Sequence, residues 1–356
     1  MKILNFLNVS LILIVFGNLL LGFVDDSYFP AAFGLGAFLL PIFQLIVGLI
    51  WLIGYKENKK IQFYFYAVIS YFFILYSSVL WWDAAEKVAI LNKILLFLLF
   101  ATPISLAVYF TIILFQFSKQ CSFMKAEWND LLFINYQIDP KLLEKYVPKG
   151  TEIDLFNGKC YISLIGFMFE NVKVLGIKIP YHVNFEEVNL RFYVKRFEDG
   201  NWRRGVVFIK EIVPKHAITF VANTLYNEQY QTLPMRHERT VTKTSRFFKY
   251  EWLKENYRNS ISVETEKKLM PIEENSEAEF ISEHYYGYTI PPRQKTVEYE
   301  VKHPRWQQYK VIDYALTVDF ELTYGKEFAF LQDLKADSCF VAKGSKISIE
   351  SKRVFS

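Results

Sequence analysis

Cysteine, clustered basic charge and N-terminal arginine are the scarce ingredients of this sequence. Only three cysteines occur, Cys121, Cys160 and Cys339, far apart and odd in number. They form no Cys-x-x-Cys pair and no Cys/His ligand spacing, which argues against a disulfide scaffold or a metal centre built on them. The net charge is only +4 and no Lys/Arg stripe appears, so nucleic acid is not an expected partner. Phosphate-loop, dinucleotide and His-Glu-x-x-His signatures are missing, as is the Gly-x-Ser-x-Gly of α/β-hydrolases. No cofactor is implied. Ser122–Lys125 reads Ser-x-x-Lys and Lys243-Thr244-Ser245 resembles Lys-Thr-Gly, yet no Ser-Asp-Asn lies between them, so a penicillin-binding reading fails.

Charge is also low overall, 22% of residues against 52% hydrophobic, with a mean hydropathy of +0.12. That composition excludes a disordered chain. The charge is unevenly spread: residues 1–120 hold seven lysines, no arginine and five acids. Four apolar runs lie there, Ile3–Phe23, Ala32–Gly54, Ile61–Trp82 and Leu91–Phe117. Each approaches or exceeds the roughly 20 residues that a helix needs to cross hydrocarbon, and Lys93 is the only charged side chain inside them. No small-x-small cleavage site follows the first run, so it reads as a retained helix. Pro41 and Pro103 should kink spans two and four, and Trp81 and Trp82 close span three where aromatic rings favour an interface.

The loops assign an orientation. Asp25 and Asp26 occupy the first, Lys56, Lys59 and Lys60 the second, Asp83, Glu86 and Lys87 the third, and Lys119 and Lys125 follow the fourth run. Positive charge stays on the cytoplasmic side, which places both termini there. Asn8, Asn18, Gln44 and Ser70 are expected to hydrogen-bond between helices. The reading is an integral protein of a bacterial inner membrane, with the bilayer as partner and oligomers possible through its helices.

Beyond residue 121 the hydrophobic period becomes two, with frequent Gly, Pro and Asn breaks. Expected strands include Lys159–Phe169, Val188–Val194, Gly205–Ile212, Ile218–Leu225, Thr296–Lys302 and Val318–Tyr324. Helix is expected at Pro140–Tyr146, Glu277–Tyr286 and Tyr324–Leu334. Such a pattern suggests an antiparallel sheet or barrel with helices outside. Lys159–Phe169 is apolar on both faces and so belongs at the centre of the sheet. In Glu187–Lys195, Val188, Leu190, Phe192 and Val194 point one way and Glu187, Asn189, Arg191, Tyr193 and Lys195 the other. That polar face lies either in water or along a cavity, where Glu187 and Arg191 could hold an ion pair.

The stretch Glu187-Val188-Asn189-Leu190-Arg191-Phe192-Tyr193-Val194 resembles the signature of the YqjF-like family, an uncharacterised family of the acetoacetate-decarboxylase-like superfamily. Trp128–Asn135, Gly158–Phe167, Leu233-Pro234, His303-Pro304-Arg305-Trp306 and Ala342-Lys343-Gly344-Ser345 resemble other segments of that pattern. The likeness covers roughly 128–349. It implies a cone-shaped antiparallel β-barrel around a small-molecule cavity. In the decarboxylase branch a lysine attacks a keto acid after a Gly-x-Pro motif. Here Thr232-Leu233-Pro234-Met235-Arg236 stands in its place, and arginine cannot form a Schiff base. Lys243 is the nearest substitute. Where the family has Glu-Arg-Tyr, this chain has Glu283-His284-Tyr285, which makes His284 either a titrating group or a solvated helix residue.

The expected architecture is therefore a four-helix transmembrane region over residues 1–120. Over 121–356 it continues as a cytoplasmic, mainly antiparallel α+β domain with an acetoacetate-decarboxylase-like cone-shaped β-barrel. The leading functional expectation is a membrane-anchored module that binds or senses a small anionic or amphiphilic molecule. Glu187, Asn189, Arg191, Tyr193, Arg236, Glu283 and His303 are the candidate ligand-binding residues. Arg191 would meet the anion, Glu187 would orient it, and Asn189 and Tyr193 would add hydrogen bonds. Two alternatives stay open: an enzyme in which Glu187 or Glu283 is the general acid or base, and a structural or assembly protein.

Overall fold

The computed structural model describes residues 2–22, 39–54, 58–80, 89–120, 122–289 and 295–355. The chain divides into two compact units: residues 1–121 with 175–177, and residues 122–174 with 178–356. The first is helical, with α1 (Lys2–Gly22), α2 (Leu40–Gly54), α3 (Lys59–Leu80) and α4 (Ala89–Gln120). Its core joins Val47 and Trp51 of α2, Ile61, Tyr64 and Val68 of α3, and Phe110, Ile113 and Leu114 of α4. These positions recur three or four residues apart, the spacing that gathers side chains on one helical face. Asn8 ties the helices together, donating from Nδ2 to Thr111 Oγ1 at 2.8 Å and accepting from Gln44 Nε2 at 2.9 Å. Asn18 instead donates back to Ile14 of its own helix. On the outer faces Phe6, Leu13, Phe63, Ile69, Phe73 and Ile104 are exposed.

Among the described residues, no helix is long and apolar enough to cross a membrane. This overturns the expected four-helix transmembrane region and, with it, the bilayer as partner, assembly through membrane helices and the inner-membrane orientation. The second apolar run shows the reason in length. Its helix α2 has 15 residues, or about 22 Å at 1.5 Å per residue, against a hydrocarbon core of about 30 Å. The others carry polar side chains: Asn5, Asn8 and Asn18 in α1, seven tyrosine, glutamine or serine positions from Gln62 to Ser77 in α3, and Lys93 in α4. Pro103 lies inside α4, but Pro41 is the second residue of α2, where the missing N–H costs nothing. Asp25, Asp26, Lys56, Trp81, Trp82, Asp83, Glu86 and Lys87, on which the orientation rested, lie outside the described residues.

The second unit is built on one large sheet. Its strands are β1 (Met124–Ile138), β2 (Glu152–Ile153), β3 (Cys160–Val174), β4 (Phe185–Glu198), β5 (Asn201–Val213), β6 (Tyr230–Thr232) and β7 (Met235–Val241). There follow β8 (Ser245–Lys254), β9 (Tyr257–Pro271), β10 (Tyr286–Thr289), β11 (Thr296–Lys302), β12 (Gln307–Thr317), β13 (Ser338–Ile349) and β14 (Arg353–Phe355). Neighbours run β11-β10-β5-β4-β3-β1-β13, and β13 pairs back onto β11 through Val301 with Ile349 and Lys302 with Ser348. Seven strands thus close a ring. Strands β12, β9, β8 and β7 continue from β13 as a flank. Pairing is antiparallel except for β10 with β5 and β5 with β6.

The alternation of β4 places this ring. Val188, Leu190, Phe192 and Val194 pack outward against Phe248, Tyr250 and Trp252 of β8 and Ile261 and Val263 of β9. Their polar neighbours consequently face the lumen. Strand β3 lies between β1 and β4, with Leu164 and Met168 in the outer layer and Ile165 and Phe167 in the inner one. Aromatic residues furnish about half of that inner layer; Phe133 and Phe340, for example, stack at 4.4 Å.

Two expected strands are helical. Residues 218–225 fall in α5 (His216–Val221) and the wider turn Ala222–Tyr226 that continues it. The β-branched content misleads there, since Ile218, Val221, Ala222 and Tyr226 share one helical face. At 318–324 the Asp319 side chain accepts the Leu322 N–H at 2.8 Å and starts α7 (Phe320–Tyr324). Expected helix at Glu277–Tyr286 ends early, as α6 (Glu277–Ser282), and Tyr286 already belongs to β10. Pro140–Tyr146 and Lys326–Gln332 wind as tighter three-residue turns.

Candidate ligand site in the barrel lumen

Glu187, Asn189 and Arg191 of β4 line a lumen cavity of about 70 Å³ together with Trp128 of β1, Glu211 of β5 and His284. Glu187 is buried and accepts hydrogen bonds from Asn189 Nδ2 and Tyr230 Oη, both at 2.9 Å. It does not pair with Arg191. The two lie four residues apart on one strand face, about 13 Å along the backbone, too far for the expected ion pair and for Glu187 to orient the guanidinium. Arg191 instead lies 5.6 Å from the ring centres of both Phe133 and Tyr193 and reaches the Ile281 carbonyl at 3.5 Å. It has no ion-pair partner among the described residues.

Two further acids complete the site, and the sequence reading missed both. Register sets Glu211 of β5 opposite Asn189. Glu228, in the segment between α5 and β6, shares a hydrogen bond with Glu211 and accepts one from Tyr299 Oη at 2.6 Å. Burial raises all three carboxyls: Glu187 to about 7, Glu228 to about 8, and Glu211 well above its ordinary value. Glu187 and Glu228 push Glu211 further the same way, and Glu187 does so for Glu228, whose hydrogen bond with Glu211 works against it. At neutral pH Glu228 is therefore mostly protonated and Glu187 about half, so the cluster offers hydrogen-bond donors beside the positive charge of Arg191. A signal for Glu211 was present, as an acid between Ile209 and Ile212 in a strand. Glu228 needed the loop's path, which no local pattern encodes.

Five polar atoms along this cavity are buried with no hydrogen-bond partner among the described residues: Trp128 Nε1, Asn189 Oδ1, Arg191 Nε, Glu211 Oε2 and His284 Nδ1. An unpaired buried polar group costs about 1–3 kcal/mol, and folded proteins keep few of them. Five converging on one space describe a hydrogen-bonding surface without its complement.

The remaining expected residues scatter. His303 lines the lumen, stacked 4.2 Å from Trp306 and 4.6 Å from Tyr285, and burial lowers it to about 4. His284 is neither solvated nor helical; it lies beyond α6 with Nε2 3.2 Å from Asp154, and burial lowers it to about 4 as well. Both imidazoles are neutral at pH 7. Tyr193 stands behind the cavity wall, its hydroxyl 2.7 Å from Ser163 Oγ. Glu283 holds the Tyr285 hydroxyl and does not line the cavity. Arg236 is exposed on β7, at the far end of the flank. Lys243 is exposed in the turn after β7, and no described lysine lines the 70 Å³ cavity, so a Schiff base has no amine there.

A second cavity of about 170 Å³ adjoins the first, and every residue lining it belongs to the second unit. Phe123, Val172, Phe185, Ile218, Val221 and Ala222 make it apolar. Tyr230 and Tyr299 line both cavities, and Glu228 reaches the larger one.

Comparison with known proteins sets this site in a family. Over 117 residues the chain is 30% identical to the uncharacterized protein YqjF of Bacillus subtilis (strain 168), covering 33% of this chain and 47% of that one. The chain thus spans about half the length of that curated relative. Among solved structures it is similar to the enduracididine biosynthesis enzyme MppR complexed with pyruvate, at 13% identity and a TM-score of 0.47 over 65% of this chain and 90% of the other. It is also similar to the acetoacetate decarboxylase of Legionella pneumophila subsp. pneumophila str. Philadelphia 1, at 11% identity and a TM-score of 0.45 over 65% and 87%. A family model described as DUF2071, uncharacterized conserved protein (COG2071), matches residues 125–346, and the chain belongs to that family.

Proposed function

We propose that the second unit is a small-molecule-binding barrel whose ligand presents an anionic head to Arg191. The supporting observation is the lumen itself, where a guanidinium without a counter-charge faces an enclosed space and its Nε is unpaired. The surrounding acids favour the same ligand class, because in their protonated form they donate to a carboxylate instead of repelling it. Neutral His284 and His303 leave the positive charge undivided. Membrane anchoring forms no part of this reading.

Calorimetric titration of the full chain with pentanoate, pentan-1-ol and pentan-1-amine at pH 6.5 tests it. Pentanoate should bind best, and Arg191→Met should weaken it about tenfold or more, the scale of one charge-assisted hydrogen-bonded pair. Circular dichroism would establish that the variant is folded. Unchanged pentanoate affinity in folded Arg191→Met, or a preference for the amine, would overturn the assignment.

A further inference from the structure

The geometry points to the 170 Å³ apolar cavity as the second half of the binding site, taking a phenyl-sized apolar group on the same ligand. This rests on the anionic-head reading and extends it to a ligand class, the aryl- or short-alkyl-substituted carboxylates. Volume supplies the first argument. A dry apolar cavity of about 150 Å³ accommodates benzene, and this one is of that size with walls of Phe, Val, Ile and Ala.

Continuity supplies the second. Met124, Phe169, Tyr230, Tyr299 and Ile349 line both cavities. The two tyrosines stand at the boundary with their hydroxyls turned to the acids, Tyr230 to Glu187 and Tyr299 to Glu228. Their rings thus offer an apolar passage while their polar ends stay satisfied. On the lumen side, the Arg191 Nε–H awaits an acceptor; on the other side the surface is almost wholly carbon. One molecule with a polar end and an apolar end satisfies both.

A series of benzoate, phenylacetate, 3-phenylpropanoate and 4-phenylbutanoate, with pentanoate as reference, would be titrated into the full chain. At least one aryl acid should bind about tenfold to a hundredfold tighter than pentanoate, the gain expected for burying a ring. Ala222→Phe, which fills the cavity, should abolish that gain. Ile218→Ala, which enlarges it, should move the optimum to a bulkier acid and serves if the first variant does not fold. Aryl acids that bind no tighter than pentanoate, or a gain that survives Ala222→Phe, would overturn the second half-site while the Arg191 reading stands. Loss of pentanoate and aryl acids alike from the wild type would overturn the Arg191 reading itself.

Discussion

Gly344→Ala should destabilise the barrel by about 2–5 kcal/mol, a large share of the roughly 5–15 kcal/mol that holds a domain folded. Gly344 adopts a φ of +81°, in the left-handed region. A Cβ there would come 1.9 Å from the Trp128 carbonyl oxygen, a backbone atom that cannot swing aside. The left-handed conformation costs a non-glycine residue about 1–2 kcal/mol, and forcing the strands apart adds about 1–3 kcal/mol. The position matters to the site because β13 pairs with β1 across Asn129 and Gly344, beside an irregularity in β1's pairing with β3 where Asp130 also has positive φ. Trp128, immediately before, lines the lumen. Urea denaturation should show a lower midpoint; a shift under about 0.5 kcal/mol would mean that the strands relax freely.

Affinity for an anion should fall about tenfold to a hundredfold between pH 6 and pH 9. Glu187 and Glu228 ionise across that interval, at about 7 and about 8. Each new carboxylate adds negative charge to the cavity that the anionic head enters, and like charges about 10 Å apart repel by about 1–2 kcal/mol at protein-like dielectric. His284 and His303 are already neutral, and Tyr230 and Tyr299 are held well above their ordinary range by burial, so none of these reverses the trend. Pentanoate titrations at the two pH values check it; affinity that rises with pH would exclude an anionic ligand.

The same shifts bear on stability. A glutamate ordinarily near 4.5 that reaches about 7 or 8 when folded binds protons more tightly in the native state. Its contribution is full at low pH and is lost as pH climbs through the folded value. His284 and His303 act in the opposite direction, being lowered from 6.5 to about 4, so their contribution is lost as pH falls below 6.5. The two trends oppose each other below 6.5 and separate above it. Between pH 6.5 and 8.5 the second unit should therefore lose at least about 1 kcal/mol, or roughly 2–4 °C in Tm. Glu228→Gln should flatten that slope.

The β4 face was legible because alternation along a strand is local, and strong apolar residues at Val188, Leu190, Phe192 and Val194 fix which side is polar. Whether the polar side meets water or a cavity depends on ring closure through Val301 and Ile349, a contact across 48 positions that no window reveals. Glu228 was hidden for the same reason, since its partners Glu211 and Tyr299 come from other strands. The N-terminal runs misled differently. The second run reaches back into residues outside the described ones, and the helix described there, α2, has 15 residues. At 218–225, Ile, Thr, Phe and Val read as strand by type, while their spacing of three and four is helical. Type outweighed spacing in the expectation, and packing reversed it.

The most direct test of the account is a crystal structure of the full chain with 3-(4-bromophenyl)propanoate, its bromine located by anomalous scattering. The account predicts a carboxylate within hydrogen-bond distance of Arg191 Nε and bromine between Ile218, Val221 and Phe185. A carboxylate bound away from Arg191, with Arg191 Nε still unpaired, would contradict it.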